Sequence, residues 1–344
     1  MKTYRIAFPI FCTLGACVSM LCIFGTKEKI IVPKQYVQKT GFFEGLKKVS
    51  KNKYFWIVNG STWISFLNYN YSSLFQYVFY YGMNNNAIYS IMTVIKGEAS
   101  TPGLARGAPL TNKLGKKKIC LFSLSVQAAC MALMLTCYEN YYLFFALMFI
   151  KDMFGALSIV YLPAIKADVM DYQQYKTNDR LEGFMEQSGV FLGSILTLGT
   201  GYAMPLILGS YGLTNNFDDL YNADFRNPIL RVVIICSLIG TLLSIIPYLF
   251  YDLTEDKRSN MVRALKIRAL FSDFAENKAE DEKLIDTVNE IYNVLALYKT
   301  EDDEKKKAAY KITVDELEKY KFESPEIWMM IEEKYELLTA EAST

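Results

Sequence analysis

The residues of this chain best suited to chemistry are polar and aromatic side chains set in apolar sequence. Asn59, Thr62, Phe66, Tyr69, Ser73, Gln76 and Tyr80 recur at intervals of three and four, which places them on one stripe of a helix. Such a stripe suits a hydroxyl-rich ring such as a sugar: aromatic faces cover its C–H surface while amides and hydroxyls exchange hydrogen bonds with its hydroxyls. The same side chains also serve to join helices inside a bilayer, where small polar groups bridge neighbours. The spacing alone leaves both readings open.

A second set is charged. Lys96, Glu98, Arg106, Lys151 and Asp152 interrupt apolar runs, and a charge at membrane depth faces a cavity or a partner. Lys151 and Asp152 are neighbours about 100° apart around a helix, so they need not pair and at most one points squarely into a pocket. Glu98 lies between Gly97 and Pro102, where a loosened helix exposes backbone carbonyls. Snorkelling or cross-helix pairing explains Lys96 and Arg106 as readily as a site does. The row Gln187, Ser194 and Thr197 is a further candidate cavity wall. Gly103 with Gly107, and Gly189 with Gly193, have the small-xxx-small spacing of close helix contact.

Much chemistry is excluded. The 344 residues include no histidine, which removes imidazole ligands, histidine bases and histidine-dependent triads. The seven cysteines all lie in or at the ends of apolar stretches without a CxxC pair, as buried thiols acting as small hydrophobes do. An enzyme is the class least supported, and no nucleic-acid partner is expected.

The elements that must position these residues are apolar stretches near 4–25, 53–82, 86–110, 118–138, 141–164, 184–210 and 229–251. Each approaches the roughly 20 residues a bilayer core requires. The expected fold is all-α: a polytopic transmembrane bundle of about seven spans over 1–251, followed by a soluble helical tail over 252–344. Net charge supports the division, at about +9 before Asp252 and about −8 from it onward. Loops 26–53, 111–118 and 165–183 carry Lys and Arg while those between are nearly free of them, so the carboxy terminus is expected to be cytoplasmic. A signal peptide over 1–24 is the competing reading, but the apolar run continues past Cys17 to Phe24. In the tail, Thr254, Thr313 with Glu316, and Ser324 before Pro325 read as helix starts. The basic residues Lys257, Arg258, Arg263, Lys266 and Arg268 read either as a face for anionic lipid or, more simply, as a solvated one.

The segment from Ala167 to Gly183 is the most specific in the chain. Asp168, Asp171, Tyr172, Lys176, Arg180 and Glu182 match, in register, the pattern A-D-x-x-D-Y-x-x-x-K-x-x-x-R-x-E. That pattern resembles the loop between the tenth and eleventh helices of the glycoside-pentoside-hexuronide:cation symporters, the melibiose-carrier-like branch of the major facilitator superfamily. Gly25-Thr26-Lys27-Glu28 and Lys113-Leu114-Gly115-Lys116-Lys117 resemble two further loops of the same family. The resemblance covers roughly residues 4–270. It implies that the first span is the family's sixth and the others its carboxy-terminal bundle.

By that resemblance the chain is expected to be the carboxy-terminal half of a sugar:cation symporter of the bacterial inner membrane, working by alternating access. Its partners would be a sugar or glycoside, the lipid bilayer and an absent amino-terminal half of six helices. The coupling cation, Na+ or H+, would bind that absent half, so no cofactor or metal is assigned here. Candidate substrate-binding residues are Asn59, Thr62, Tyr69, Ser73, Gln76, Glu98, Lys151, Asp152, Gln187 and Ser194. Ser194 stands where melibiose carriers place a sugar-facing Lys, which argues against melibiose. Asp168, Asp171, Arg180 and Glu182 are candidates for a cytoplasmic ionic gate, with loop-pinning as the plainer account. The alternative function is a membrane anchor whose cytoplasmic tail binds a protein partner.

Overall fold

The computed structural model of the chain describes residues 2–25, 41–65, 80, 82, 86–179, 181–212, 220–276 and 279–342. All regular structure among them is helical. Residues 1–40 form a unit by themselves, containing one helix, α1 (Lys2–Gly25), on which Ile6, Phe8, Phe11, Leu14, Val18 and Leu21 are exposed.

The second unit begins at Gly41 and carries everything else. A short helix, α2 (Phe42–Ser50), leads into α3, described over residues 53–65. Asn52 fixes that junction, its Oδ1 accepting from the N–H groups of Tyr54 and Phe55 while its Nδ2 donates to Gln173 Oε1 at 3.0 Å. The next expected span is broken in two. α4 (Asn86–Gly97) ends at a turn over Glu98 and Ala99, and α5 (Ser100–Leu114) continues beyond it. Gly115, at φ +82°, turns the chain into α6 (Lys116–Thr136).

Asn140 caps α7 (Tyr141–Gly155) through its side-chain oxygen. A second turn at Ala156 and Leu157 separates it from α8 (Ser158–Thr177). The expected loop over 165–183 is therefore mostly helix, because Ile165, Asp168, Val169 and Gln173 at helical spacing are all buried. α9 (Glu182–Ser210) and α10 (Ala223–Leu249, capped by Asn222) complete the bundle. Among the described residues, Lys116–Thr136, Tyr141–Thr177 and Ala223–Leu249 are long and apolar enough to cross a membrane. Ile235, Ile239, Leu242, Leu243 and Ile246 of α10 are about half exposed, as side chains meeting lipid would be.

Inside the bundle, Met131, Met134, Phe144, Met148, Leu230 and Ile234 form one core, and Phe55, Ile119, Tyr161, Ile165 and Tyr251 anchor another. Close approach depends on glycine at the expected pairs. A Cβ on Gly103 would overlap the Met153 carbonyl, one on Gly107 would meet Val160, and Gly189 and Gly193 lie directly against Asn59 and Trp63.

The tail is four helices: α11 (Glu255–Ala275), α12 (Asp281–Thr300), α13 (Glu304–Glu323) and α14 (Pro325–Ala342). Ile267, Phe271, Leu284, Val288, Ile291, Leu317, Trp328 and Ile331 form their common core. Thr254 caps α11 and α14 starts at Pro325, as read from sequence. Thr313 and Glu316 do not start a helix. They sit within α13, where buried Thr313 donates to Asn260 Oδ1 at 2.8 Å and Glu316 pairs with Arg268; Asp303 supplies the cap instead. A capping-box pattern with two tertiary partners is better satisfied inside a helix than at its end.

Candidate functional site

Two polar cavities lie along α3. The first, about 220 Å³, is a groove between α3 and α9 lined by Asn59, Thr62, Trp63, Lys166, Ser194 and Thr197, with Gly189, Val190 and Gly193. The second, about 130 Å³, is set among α3, α6, α7, α8 and α10. Its wall is rich in hydroxyls: Ser61, Thr62, Ser65, Ser158, Tyr161, Thr241 and Tyr248, with the Gln127 amide and no charged side chain. Thr62 faces both. Uncharged donors and acceptors around a confined space match the hydrogen-bonding needs of a neutral polyol or of ordered water.

Several of these groups already hold helices together. Asn59 Nδ2 donates to the Phe55 carbonyl at 2.9 Å, Thr62 Oγ1 to Val58 and Ser194 Oγ to Val190, each one turn back along its own helix. Trp63 Nε1 donates across to the Gly189 carbonyl at 3.0 Å. Ser61 Oγ donates to the Ser244 carbonyl, and Ser65 Oγ to Ser244 Oγ, tying α3 to α10. The stripe thus combines packing with cavity lining.

Of the residues singled out from sequence, Asn59, Thr62 and Ser194 come together in the groove. Gln187 is exposed and lines neither cavity. Tyr69, Ser73 and Gln76, with Phe66, lie outside the described residues. Glu98 is exposed at the turn between α4 and α5, where its carboxylate accepts from Thr101 Oγ1 at 3.2 Å. Lys151 and Asp152 line neither cavity and, against the expectation from their angular offset, do pair. Lys151 Nζ is 3.1 Å from Asp152 Oδ1, and Lys96 Nζ is 3.6 Å from Asp152 Oδ2. A long lysine stem covers 100° of helix easily when its ammonium has no water to turn to. Sequence reasoning missed Trp63 and Lys166, whose Nζ pairs with Glu186 at 2.6 Å. It also missed Gln127, Tyr161 and Tyr248, polar residues spaced along apolar helices.

The loop motif occupies a separate place at the junction with the tail. Asp168 is 2% exposed, and Lys116 Nζ reaches both of its oxygens, at 2.7 and 2.6 Å. Arg258 of α11 brings Nε within 2.6 Å of Asp168 Oδ1, off the hydrogen-bonding line and so as an ion pair, and 3.7 Å from Asp171. Arg268 grips the Tyr175 carbonyl at 2.9 Å and Glu316 at 2.8 Å. Lys257 pairs with Asp252, while Arg263 and Lys266 pair with Glu290. The basic run of α11 thus pairs with the bundle and the other tail helices, while Lys257, Arg258 and Lys266 keep more than a third of their side chains exposed. Glu182 begins α9, and Arg180 lies outside the described residues.

Nearby, burial raises the Asp252 carboxyl, but the Lys53 ammonium and the Tyr54 hydroxyl outweigh it and hold it down at about 2. Hydrogen bonding to Glu316 raises the Arg268 guanidinium further. Among the described residues no cluster of three or more metal-ligating side chains occurs.

Comparison with known proteins places this geometry. The family described as MFS/sugar transport protein matches residues 1–255. The uncharacterized symporter YnaJ of Bacillus subtilis (strain 168) is 24% identical over 279 residues, covering 77% of this chain and 57% of that protein. The uncharacterized symporter YjmB of the same organism is 24% identical over 265 residues, covering 76% and 57%. The chain therefore spans little more than half the length of these relatives.

Proposed function

The chain belongs to the MFS/sugar transport protein family, and from that premise we propose that it forms the carboxy-terminal half of a sugar:cation symporter. In this reading α3, α7 with α8, and α9 form one wall of a central solute site, and the other wall comes from an amino-terminal half of six helices. That half also binds the coupling cation, Na+ or H+. Residues 1–251 are the bundle in the bacterial inner membrane and 252–344 a cytoplasmic tail. Alternating access follows from rocking of the two halves about the site.

The observation that carries the reading is the pair of hydroxyl-lined cavities meeting at Thr62, one without a charged side chain and the other including Lys166, inside a bundle of this family. An inert anchor has no need of so many hydroxyl side chains gathered around open space inside its bundle. Asp168, Asp171, Arg180 and Glu182 then belong to the cytoplasmic gate region, where Asp168 is held from within the chain by Lys116 and Arg258.

The test is uptake of labelled neutral and acidic sugars by cells that make this chain together with an amino-terminal half. Cation-dependent accumulation, lost in Gln127→Leu and in Ser194→Val, is expected. No uptake of any sugar in the panel, with both halves in the membrane, would remove the reading.

A further inference from the structure

One helix face of the tail is left uncovered by the tail's own fold. α14 turns Trp328, Ile331 and Tyr335 toward the core it shares with α11, α12 and α13. Its opposite face carries Glu326, Met330, Glu333 and Leu337 at intervals of four, three and four, flanked by Met329 and Glu336. All six are exposed, Met329 at 61%, Met330 at 52% and Leu337 at 61%. Three large apolar side chains therefore stand outward on a helix whose other side is a packed core.

The charge of this face is one-sided. Glu326, Glu333 and Glu336 all stand on it, and Glu333 and Glu336 are three residues apart, where like charges on a helix repel. α14 contains one basic residue, Lys334, and that ammonium is engaged beside the face by Asp281 at 2.5 Å. A helix facing solvent alone gains by setting Lys four residues after Glu and by keeping Met and Leu inward. Here apolar and acidic residues instead alternate at the spacing of a helix-packing seam: Met330 and Leu337 form one row seven residues apart, and Glu326 and Glu333 another. A second helix fits that seam when it sets apolar residues against the first row and lysine or arginine against the second. The flexible, polarizable Met side chains adapt to whatever apolar shape they meet. Two copies of the face would bring carboxylate to carboxylate, and an anionic lipid surface would be repelled by it.

We propose that this face of α14 is a docking surface for a cationic amphipathic helix of a separate protein, packed along Met330 and Leu337 with its lysines or arginines against Glu326 and Glu333. Docking covers the outward Met and Leu side chains and relieves the repulsion between Glu333 and Glu336. The apolar row supplies close packing, while the charge-assisted contacts select the partner and set its register. The inference draws on the tail alone and stands apart from the carrier reading, so the failure of either leaves the other untouched.

The test is fluorescence anisotropy of a labelled three-heptad helical peptide, with leucine and lysine alternating at intervals of three and four, titrated with the purified full chain in phosphatidylcholine nanodiscs. Zwitterionic lipid keeps the peptide off the disc surface, and empty discs give the background. The lysine peptide is expected to bind saturably, at least tenfold more tightly than the same peptide with glutamine or glutamate at the lysine positions, and more weakly as salt rises. Glu326→Lys combined with Glu333→Lys should abolish binding of the lysine peptide and admit the glutamate peptide, and Leu337→Ser should weaken the lysine peptide at least threefold. Glu318→Lys, at an exposed position of α13, should leave binding unchanged. All these side chains are exposed, and circular dichroism confirms that each variant keeps its helices. No binding of the lysine peptide, equal binding by the charge-reversed chain, or as large a loss in Glu318→Lys overturns the proposal. Pairing of chains in detergent that is lost in Leu337→Ser, read by sedimentation, also overturns it and assigns the face to a second copy.

Discussion

Asp168 offers the sharpest test of how bundle and tail are joined. It is 2% exposed, Lys116 reaches both of its oxygens, and Arg258 contacts one of them from α11. Replacing it by Asn keeps the shape and removes the charge, leaving Lys116, whose side chain is 14% exposed, without its main counter-ion. Removing one partner of a buried pair costs about 3–5 kcal/mol. Arg258 is more than a third exposed and regains water, so the lower end of that range, about 3 kcal/mol, applies. At about 2–4 °C per kcal/mol, Asp168→Asn should lower the melting temperature by roughly 6–12 °C. Arg258→Gln should cost only about 1 kcal/mol, because Lys116 still holds the carboxylate. A double-mutant cycle read by thermal unfolding in detergent should then show stronger coupling of Asp168 to Lys116 than to Arg258. A melting temperature for Asp168→Asn within a degree of the parent, or equal coupling to the two cations, would refute this ranking.

Gly103→Ala should destabilise by about 1–3 kcal/mol, because its methyl meets a backbone carbonyl that moves only with its helix, whereas Gly97→Ala, which meets nothing within 4 Å, should be neutral or stabilising; unfolding midpoints distinguish the two. The Asp252 carboxyl is held near 2 against an ordinary 3.8, so its contribution is present above about pH 4 and lost as pH falls through about 2. Asp252→Asn should flatten that limb of the pH–stability curve, and an unchanged curve would contradict the assignment. A reporter fused at the carboxy terminus should be active only if it functions in the cytoplasm. The chain expressed alone should accumulate no sugar in proteoliposomes if, as proposed, it supplies one wall of the site; cation-driven uptake by it would contradict the two-half account.

The helices were legible because apolar length and helical spacing are local signals, and α6 and α10 lie close to where the hydropathy places them. The breaks were half legible. Gly97 and Pro102 mark the α4–α5 turn, but nothing as plain marks Ala156, where Ser123 and Ser158 satisfy carbonyls of the α7–α8 turn from the side. The site was less legible still, since a cavity is a property of four or five helices at once. Asn59 and Thr62 were found through their period, while Gln127 and Tyr248 are single polar residues in apolar helices that only packing brings together. The pairings of the tail were hidden for the opposite reason. Its basic run has the composition of a solvated or lipid-facing helix, and its partners at Asp168, Tyr175, Asp252, Glu290 and Glu316 are scattered through the sequence.

That scattering bears on how the carrier would work. If the motif acidic residues met partners only on the other half, they would stand unpaired whenever the inner side opened. In this chain Asp168 is already satisfied by Lys116 and Arg258, and Arg268 fastens α11 to the last turn of α8 through the Tyr175 carbonyl. A buried carboxylate with two cations is too costly to unpair on every transport cycle. In the proposed carrier, α6 and α8 would then move together with α11 as one piece.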